Sequence, residues 1–489
     1  MAAKTRKTPK TPKAPKTSKG RQKPAPPPAP AKAIVAWEDD PLSGGSPIQR
    51  PVPKLDSTPL PLRIVATQPA PKVYAKATPG FRYWAAADAL RRAADFWGGL
   101  LPSGVSWQPG DPLRVHLDQG VDLNAYYDRE GLSFFHANVK RQTIYSGESP
   151  DVLCHELGHA VLDAVRPELW NAMSDEIAAF HESFGDMSAL LSALQVPSLR
   201  QSVLSETGGK LYRSSRLSRL AEQLGWAIRQ SQPDAVDPDC LRNAVNSLFY
   251  ASPTSLPPSG PAATLSSEPH SFSRVFTAGF FEALGGMLAA HVRTPTETDL
   301  VRVSHDAGRL LVDAVSAAPV VPDYYSQVAA HMVAADHTHF AGKYGDALRS
   351  AFVRRGILSL ESAGSIAPLP SATRVAPPSD SGASRVRLAP GPFGLVGVSL
   401  LVQTAGDPRR FSVSSAVIGR PPAAPRDAAE AARTFVEYLF RRGRVDLKGH
   451  GDPQKGILHP HARKTHELRI DDAELHLVRR TFDCGFDCV

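Results

Sequence analysis

The residues best suited to chemistry in this chain are His155, Glu156 and His159, which stand in the order His-Glu-Leu-Gly-His. On an α-helix, residues four apart lie on one face about one turn apart, so both imidazoles can reach one metal ion. Glu156 then lies beside an open coordination position, where its carboxylate could take a proton from water. The pattern predicts a zinc site that hydrolyses its substrate. A chance coincidence among the 16 histidines of the chain is the alternative.

Helix signals surround this motif. Ser149 can cap a helix, Pro150 suits the first helical position, and Asp151 favours the positive end of the helix dipole. These signals predict one helix over residues 150–165 and a second over about 174–194. The helical context argues against chance coincidence.

A hydrolytic zinc site needs a third protein ligand besides the two histidines. Glu182 and Asp186 lie four apart on the second predicted helix and therefore on one face. Glu182 is predicted to bind the zinc ion, and Asp186 to accept the second N–H of a ligating histidine. A solvated acidic stripe is the alternative, but the apolar neighbours of these residues argue against exposure. His181 is a weaker rival for the third ligand.

These motifs resemble those of the thermolysin family of zinc peptidases, and the resemblance covers about residues 80–362. In that family an HExxH motif is followed by a glutamate ligand in an ExxxD element, which Glu182 and Asp186 match, and by a later histidine. The resemblance implies that Glu156 is the general base and that His270 stabilises the developing oxyanion. The residues that it implies for substrate binding are Asn124, Ala125, Arg242, Val152, Leu241 and Trp170.

The resemblance also implies some details of substrate binding. Asn124 and Ala125 match an edge strand that hydrogen-bonds the substrate backbone. Val152 and Leu241 would line a pocket for an apolar residue on the amine side of the scissile bond. Trp170 stands where the family has a tyrosine that assists the oxyanion, and its indole N–H could donate there. The family's acidic calcium-binding cluster is not evident, so we predict one catalytic zinc ion and no calcium.

The net charge of +8 belongs to one end of the chain. Residues 1–33 contain ten Lys or Arg and no acid, and removing them leaves about −2 for the remainder. Residues 1–60 are also rich in Pro and poor in large apolar groups, which predicts a disordered tail. The tail could contact nucleic acid or an anionic surface, or simply be solvated. The remainder has no charge excess typical of nucleic-acid-binding folds.

The chain has no apolar run of eighteen or more residues, so we predict no membrane-spanning helix. Its first residues are basic but no apolar stretch follows them, which is not typical of a secretory signal peptide. We therefore predict a cytoplasmic protein by default, with non-standard export as the alternative. Four cysteines in 489 residues are too few for a disulfide scaffold.

The periodicities predict an α+β fold in which strand-like segments precede the motif helix and helices dominate after it. With the resemblance, this predicts a thermolysin-like metallopeptidase of two lobes, extended at both ends. The predicted units are a disordered basic tail over 1–60, a mixed α/β lobe over 61–195, an α-helical lobe over 196–362, a linker over 363–392 and a small α+β unit over 393–489.

Two other classes of function fit the sequence. An inactive peptidase-like fold could serve as a binding protein, or the zinc site could be structural in an intracellular protein. Glu156 is hard to explain in a structural site, because such sites are closed and need no base. We therefore predict a zinc endopeptidase whose partners are peptide or protein substrates.

Overall fold

The computed structural model describes residues 33–366, 384–395, 399–408, 413–416, 426–450, 463–472 and 474–483. Within these residues it contains eleven α-helices and sixteen β-strands, so the predicted α+β class is confirmed. Residues 1–32 of the predicted tail lie outside the described residues, as do Cys484 and Cys488.

The helices account for most of the middle of the chain. Proline occupies one of the first two positions in four of them, where its missing N–H removes no intrahelical bond. The helices are α1 Pro79–Gly98, α2 Pro150–Val165, α3 Asp175–Ala193, α4 Pro197–Thr207, α5 Glu222–Arg229, α6 Pro269–His291, α7 Glu297–Ala317, α8 Tyr324–Phe340, α9 Gly345–Arg354, α10 Leu360–Ser365 and α11 Ala428–Arg441.

The strands are short and lie mainly before α2 and after α10. They are β1 Ala33–Ala36, β2 Ile48–Pro51, β3 Leu62–Ile64, β4 Leu113–His116, β5 Ala125–Tyr127, β6 Gly131–Phe134, β7 His136–Val139, β8 Gln142–Tyr145, β9 Arg219–Leu220, β10 Arg242–Asn243, β11 Arg385–Leu388, β12 Leu400–Gln403, β13 Val445–Asp446, β14 His466–Asp471, β15 Glu474–Arg479 and β16 Phe482–Asp483.

Two five-stranded sheets contain most of these strands. The first has the order β16-β5-β6-β4-β3, with β3, β4 and β6 parallel and β5 antiparallel to β6. Its edge strand β16 comes from the far end of the described chain and pairs antiparallel with β5. The second sheet has the order β11-β12-β15-β14-β13 and is built only from C-terminal residues. The sequentially distant β16 thus joins the sheet that packs on α2.

The helix that carries the motif forms where the local signals predict it. Ser149 is the N-cap of α2, and its hydroxyl accepts the N–H of Val152. Pro150 follows at the first helical position and Asp151 lies in the first turn. The predicted bounds, 150–165, are those that the structure has.

Two glycines allow α2 and α3 to approach closely. A Cβ at Gly158 of α2 would lie 2.9 Å from the Cα of Gly185 on α3. A Cβ at Gly185 would lie only 2.6 Å from the ring of His155. Since contacts this short do not occur between real carbon atoms, larger residues would push His155 away from α3.

The predicted disordered tail is wrong for residues 33–60. β1 and β2 pair with each other, and Ile34, Ala36 and Trp37 are buried in the main core. This short apolar run does not stand out in the average composition of residues 1–60. A few apolar residues suffice when they can dock on an existing core.

Two other sequence predictions need correction. The helical dominance predicted after the motif helix is interrupted around residues 219–243, where β9 and β10 flank the short α5 and pair antiparallel. The C-terminal unit begins at β11, inside the predicted linker over 363–392, because β11 pairs with β12. Long-range pairing here overrides the helical periodicity.

The C-terminal unit packs against the beginning of α3. Its apolar cluster includes Met173 and Ala178. The main apolar core extends over residues 34–363 and also takes in Phe482. The division of this core into two lobes stays a prediction. Among the residues that the structure describes, no helix has both the length and the apolar composition needed to cross a membrane.

Candidate metal centre

Three side chains predicted to bind a metal meet between α2 and α3. His155 and His159 belong to α2 and Glu182 to α3, and one ligand atom of each lies within 4.8 Å of the other two. His155 Nε2 lies 3.3 Å from Glu182 Oε2, and His159 Nε2 lies 3.8 Å from the same oxygen. All three side chains are buried. They form a group that could hold a metal ion.

The chemistry of this group fits zinc. His155 Nε2, His159 Nε2 and Glu182 Oε2 have no hydrogen-bond partner among the described residues. Burying such atoms unpaired is costly, and one cation would satisfy all three. Ligand atoms about 2.0–2.2 Å from a tetrahedral zinc ion lie about 3.3–3.6 Å apart, close to the separations here. Two histidines and one glutamate are also a ligand set that zinc hydrolases use.

Asp186 contacts the first of the two histidines from outside the group. Its Oδ1 lies 3.0 Å from His155 Nδ1, which leaves Nε2 to face a metal ion. Arg242 on β10 contacts both carboxylate oxygens of Asp186, at 2.7 Å and 3.2 Å. Although burial opposes ionisation, Arg242 and His155 lower the pKa of Asp186 to about 2. An ionised Asp186 fixes the orientation of His155, and Arg242, predicted to bind substrate, contacts Asp186 in this structure.

His270, at the start of α6, approaches the same carboxylate oxygen of Glu182 as the two histidines of α2. Its Nε2 lies 3.3 Å from Glu182 Oε2, and its Nδ1 lies 2.7 Å from Glu268 Oε1. Glu268 also caps α6 by accepting the N–H of Ser271 at 2.8 Å. Burial opposes protonation of His270, but the carboxylates of Glu182 and Glu268 raise its pKa to about 9. Sequence reasoning missed Glu268, although its position two residues before His270 at a helix start is a usable signal.

Glu156, Asn124 and Ala125 are completely buried, each with 0% of its surface exposed. Glu156 follows His155 on α2. Ala125 begins β5, and the Asn124 side chain accepts the Ala125 N–H at 2.8 Å. Because α2 packs against β5, these three residues belong to one region of the core. Their catalytic and substrate-binding roles stay predictions.

The two predicted pocket residues lie in different surroundings. Leu241 lines a cavity of about 120 Å³ together with His270 and Arg242, and Arg274 and Arg444 contribute to the same wall. Val152 is buried in the main core and does not line this cavity. The cavity is therefore more basic than the apolar pocket that the resemblance implies.

Trp170 makes contacts other than the predicted one. Its indole N–H donates to the carbonyl of Arg479 at 3.3 Å. The ring of Phe482 packs against it at a centroid distance of 5.3 Å. In this structure the indole N–H is therefore engaged by the Arg479 carbonyl and does not point to a free oxyanion position as the resemblance implies. The C-terminal unit satisfies the donor, and no local sequence pattern indicates that partner.

His181, the rival third ligand, lies beside the group but outside it. Its ring is 5.9 Å from that of His159, and it stacks on Phe482 at 3.9 Å, both measured between centroids. Adjacent helical residues project about 100° apart, so His181 and Glu182 cannot face the same point. Glu182 is the residue that approaches both histidines of α2.

A second ionisable cluster, missed at the sequence level, lies at the N-terminal end of α2. Asp40, Asp151 and Glu222 each place a carboxylate oxygen within 4.8 Å of the others, and all three are buried. Asp40 accepts the hydroxyl of Ser149, and Asp151 accepts the N–H of Ala221. Burial raises the pKa of all three, that of Glu222 to about 10. The burial of Asp40 was not predicted, because this residue lies in the segment predicted to be a disordered tail.

This cluster should make the protein less stable as the pH rises. A carboxyl group whose pKa is higher in the folded chain binds more protons there, so raising the pH favours unfolding. The stabilisation is complete below the unfolded pKa of about 4 and is lost as the pH approaches the folded value. For Glu222 that value is about 10. In buffer without divalent cations, the Tm of Glu222→Gln should fall less than that of wild type between about pH 5 and 9.

Glu361→Gln is the matched control for this measurement, because it makes the same charge change at an exposed position on α10. Its Tm should follow that of wild type across the pH range. If the Tm of Glu222→Gln and that of wild type changed equally with pH, protonation of the cluster would not be coupled to folding.

Comparisons with known proteins identify no family for this chain. No protein-family model matches it, and no curated protein matches it. One solved structure that resembles it is the precursor of protealysin, a metalloproteinase from Serratia proteamaculans. The two chains share 16% identity with a TM-score of 0.39, over 66% of this chain and 87% of that one. A likeness of this size shows neither the family nor the function of this chain.

Proposed function

We propose that this protein is a zinc-dependent endopeptidase. The observation that carries the proposal is the convergence of His155, His159 and Glu182 in the core, with Glu156 next to the first histidine in the sequence. Three protein ligands leave one position of a tetrahedral ion for water or substrate, which is the arrangement of hydrolytic rather than structural zinc. The proposed substrates are peptides or proteins.

The proposed ligands are His155 Nε2, His159 Nε2 and Glu182 Oε2. When bound there, zinc supplies a Lewis acid that polarises the scissile carbonyl and lowers the pKa of water. Asp186 holds the His155 ring through Nδ1, and Arg242 keeps Asp186 ionised. These outer contacts fix the ring orientation before substrate binds.

Glu156 is the proposed general base. Its carboxylate accepts a proton from the attacking water and later delivers that proton to the leaving amine. His270, held by Glu268 and 3.3 Å from Glu182, donates an N–H to the oxyanion as it forms. Every group needed for proton transfer thus comes from α2 and the start of α6.

The substrate is proposed to bind as a strand along β5, on the side where β16 pairs with β5 in this structure. Peptides recognised in this way hydrogen-bond to a sheet edge through their backbone. Asn124 and Ala125 stand at the beginning of β5, on the sheet that packs against α2. The preference for an apolar residue on the amine side of the cut, implied for Val152 and Leu241, stays a prediction.

One observation favours a structural zinc site instead. Glu156 and His159 are completely buried, as they would be in a closed site without substrate access. A structural site would bind zinc and hydrolyse nothing.

Hydrolysis of casein by the zinc-loaded full-length protein separates these two functions. We expect cleavage that stops when a chelator removes the zinc and returns when zinc is added. One zinc ion per chain with no cleavage of any protein or peptide tested, including in variants that open the site, would favour the structural function.

A further inference from the structure

We propose that the C-terminal strand β16 is a built-in inhibitor of the metal centre, occupying the sheet edge along which a substrate would bind. The inhibitory part of this inference rests on the proposed peptidase function. Its physical part, that β16 covers the site, stands on the contacts of Phe482 and its neighbours.

The backbone of β16 completes the sheet where a peptide would otherwise add. β5 pairs with β6 on one side and with β16 on the other, so without β16 it would be an edge strand. Phe482 is opposite Tyr127 and Asp483 is opposite Tyr126, in antiparallel register. An edge strand offers unpaired N–H and C=O groups to any extended peptide. β16 and an incoming peptide therefore compete for the same backbone groups.

The side chain of Phe482 packs directly against one member of the metal-binding group. Its ring stacks on His159 at 5.0 Å and on His181 at 3.9 Å, measured between ring centroids. It also packs edge-on against Trp170. Since His159 is a proposed zinc ligand, an aromatic ring on its face lies in the first layer of atoms around the site. Phe482 itself is 3% exposed, so this contact is closed to solvent.

Side-chain contacts on both sides of Phe482 hold the strand in place. The hydroxyl of Thr481 donates to the carbonyl of Tyr127 at 3.0 Å. The guanidinium of Arg479 donates to the Trp170 carbonyl at 2.9 Å and lies over the Phe482 ring. Asp483, which is buried, lies 3.4 Å from Arg444 of the same C-terminal unit. The strand is thus tied both to the sheet and to the unit that carries it.

Because β16 belongs to the same chain as β5, it should pair with β5 much more often than a free peptide does. A segment joined to the same chain acts as if it were present at an effective concentration on the order of millimolar. A free substrate at micromolar concentration would seldom displace it. The contact of Phe482 with His159 contributes to the complete burial of this histidine in a site proposed to act on large substrates.

The test uses the full-length chain with Phe482→Ala, which removes the covering ring. Three properties are measured: amide hydrogen exchange of residues 125–127 in the zinc-free protein, the rate at which a chelator extracts zinc, and hydrolysis of a quenched peptide. We expect amide exchange, zinc extraction and peptide hydrolysis each to be about tenfold or more faster in Phe482→Ala than in wild type. The reason is that separation of β16 from β5 no longer has to break the aromatic contacts of Phe482. Ile470→Ala is the matched control, because it truncates an apolar residue of the same unit that is 62% exposed.

Thr481→Val provides a milder change if Phe482→Ala fails to fold. It keeps the shape of the side chain and removes only the hydroxyl, which contacts the carbonyls of Tyr127 and Phe482, so a smaller rise of about threefold is expected. Unchanged exchange, extraction and hydrolysis in folded variants would overturn the inference, even if wild type is an active peptidase. Faster exchange and extraction without hydrolysis in any variant would support the cover and contradict the peptidase function.

Discussion

Arg426→Met should lower the free energy of unfolding by about 3–5 kcal/mol, because it leaves buried carboxylates without their cation. The guanidinium lies 3.2 Å from Asp323, 3.3 Å from Glu176 and 3.7 Å from Asp175. Asp175 and Glu176 are almost fully buried. Removing Arg426 leaves the carboxylates unpaired in a low-dielectric interior. The free-energy cost of an unpaired buried charge is larger than the stabilisation that an exposed ion pair contributes.

Because of the position of Arg426, its replacement should affect the contact between two parts of the molecule as well as the ion pairs themselves. It immediately precedes the residue that caps α11, in the C-terminal unit, while Asp175 and Glu176 form the first turn of α3. Its contacts therefore join the C-terminal unit to the helix that carries Glu182. Loss of these contacts should also loosen the unit that holds β16.

Urea unfolding of the full-length chain measures this effect. Arg387→Met is the matched control, because Arg387 lies in the same unit and forms an ion pair with Glu474 that is largely exposed. Exposed pairs contribute about 0–1 kcal/mol, so the control should unfold close to wild type. If Arg426→Met lost no more stability than the control, the buried ion-pair account would be wrong.

The metal centre was predictable because its determinants are local. Ser149, Pro150 and the periodic apolar residues define α2 within one stretch of sequence, and the spacing of four places His155 and His159 on one face. The same spacing links Glu182 to Asp186 on α3. The side-to-side packing of these two helices follows from their apolar faces and from glycines at the contact.

Other parts of the site depend on contacts that no local pattern indicates. Thr481 and Tyr127 are 354 residues apart, yet β16 pairs with β5. A two-residue strand has no periodicity to detect, and Phe482 is indistinguishable in sequence from any aromatic residue near a chain end. The hydrogen bond from the Trp170 indole to Arg479 was unpredictable for the same reason, because the two residues are far apart in sequence. Asp40 was not predicted to be buried because it lies in a segment whose average composition is basic and rich in Pro.

Glu156→Gln should bind zinc as wild type does and lose peptide hydrolysis. The amide keeps nearly the same shape, and Glu156 is not one of the three residues whose ligand atoms converge. An amide cannot accept the proton of water, and loss of a general base slows hydrolysis about 10²–10⁴-fold. Because β16 covers the site, the comparison is best made in both the wild-type and the Phe482→Ala chain. Glu130→Gln, at an exposed turn before β6, is the control for the charge change.

If the residues between α2 and α3 form a hydrolytic zinc site, loss of Glu156 must abolish hydrolysis and leave zinc binding intact. Zinc content and the rate of peptide hydrolysis are determined on the same preparations of wild type and Glu156→Gln, each with and without Phe482→Ala, because β16 covers the site. We expect one zinc ion per chain in all of these proteins, with chelator-sensitive hydrolysis only in those that retain Glu156. Equal hydrolysis with and without Glu156 in the Phe482→Ala chain, or the absence of stoichiometric zinc from wild type after zinc loading, would show that this is not a hydrolytic zinc site.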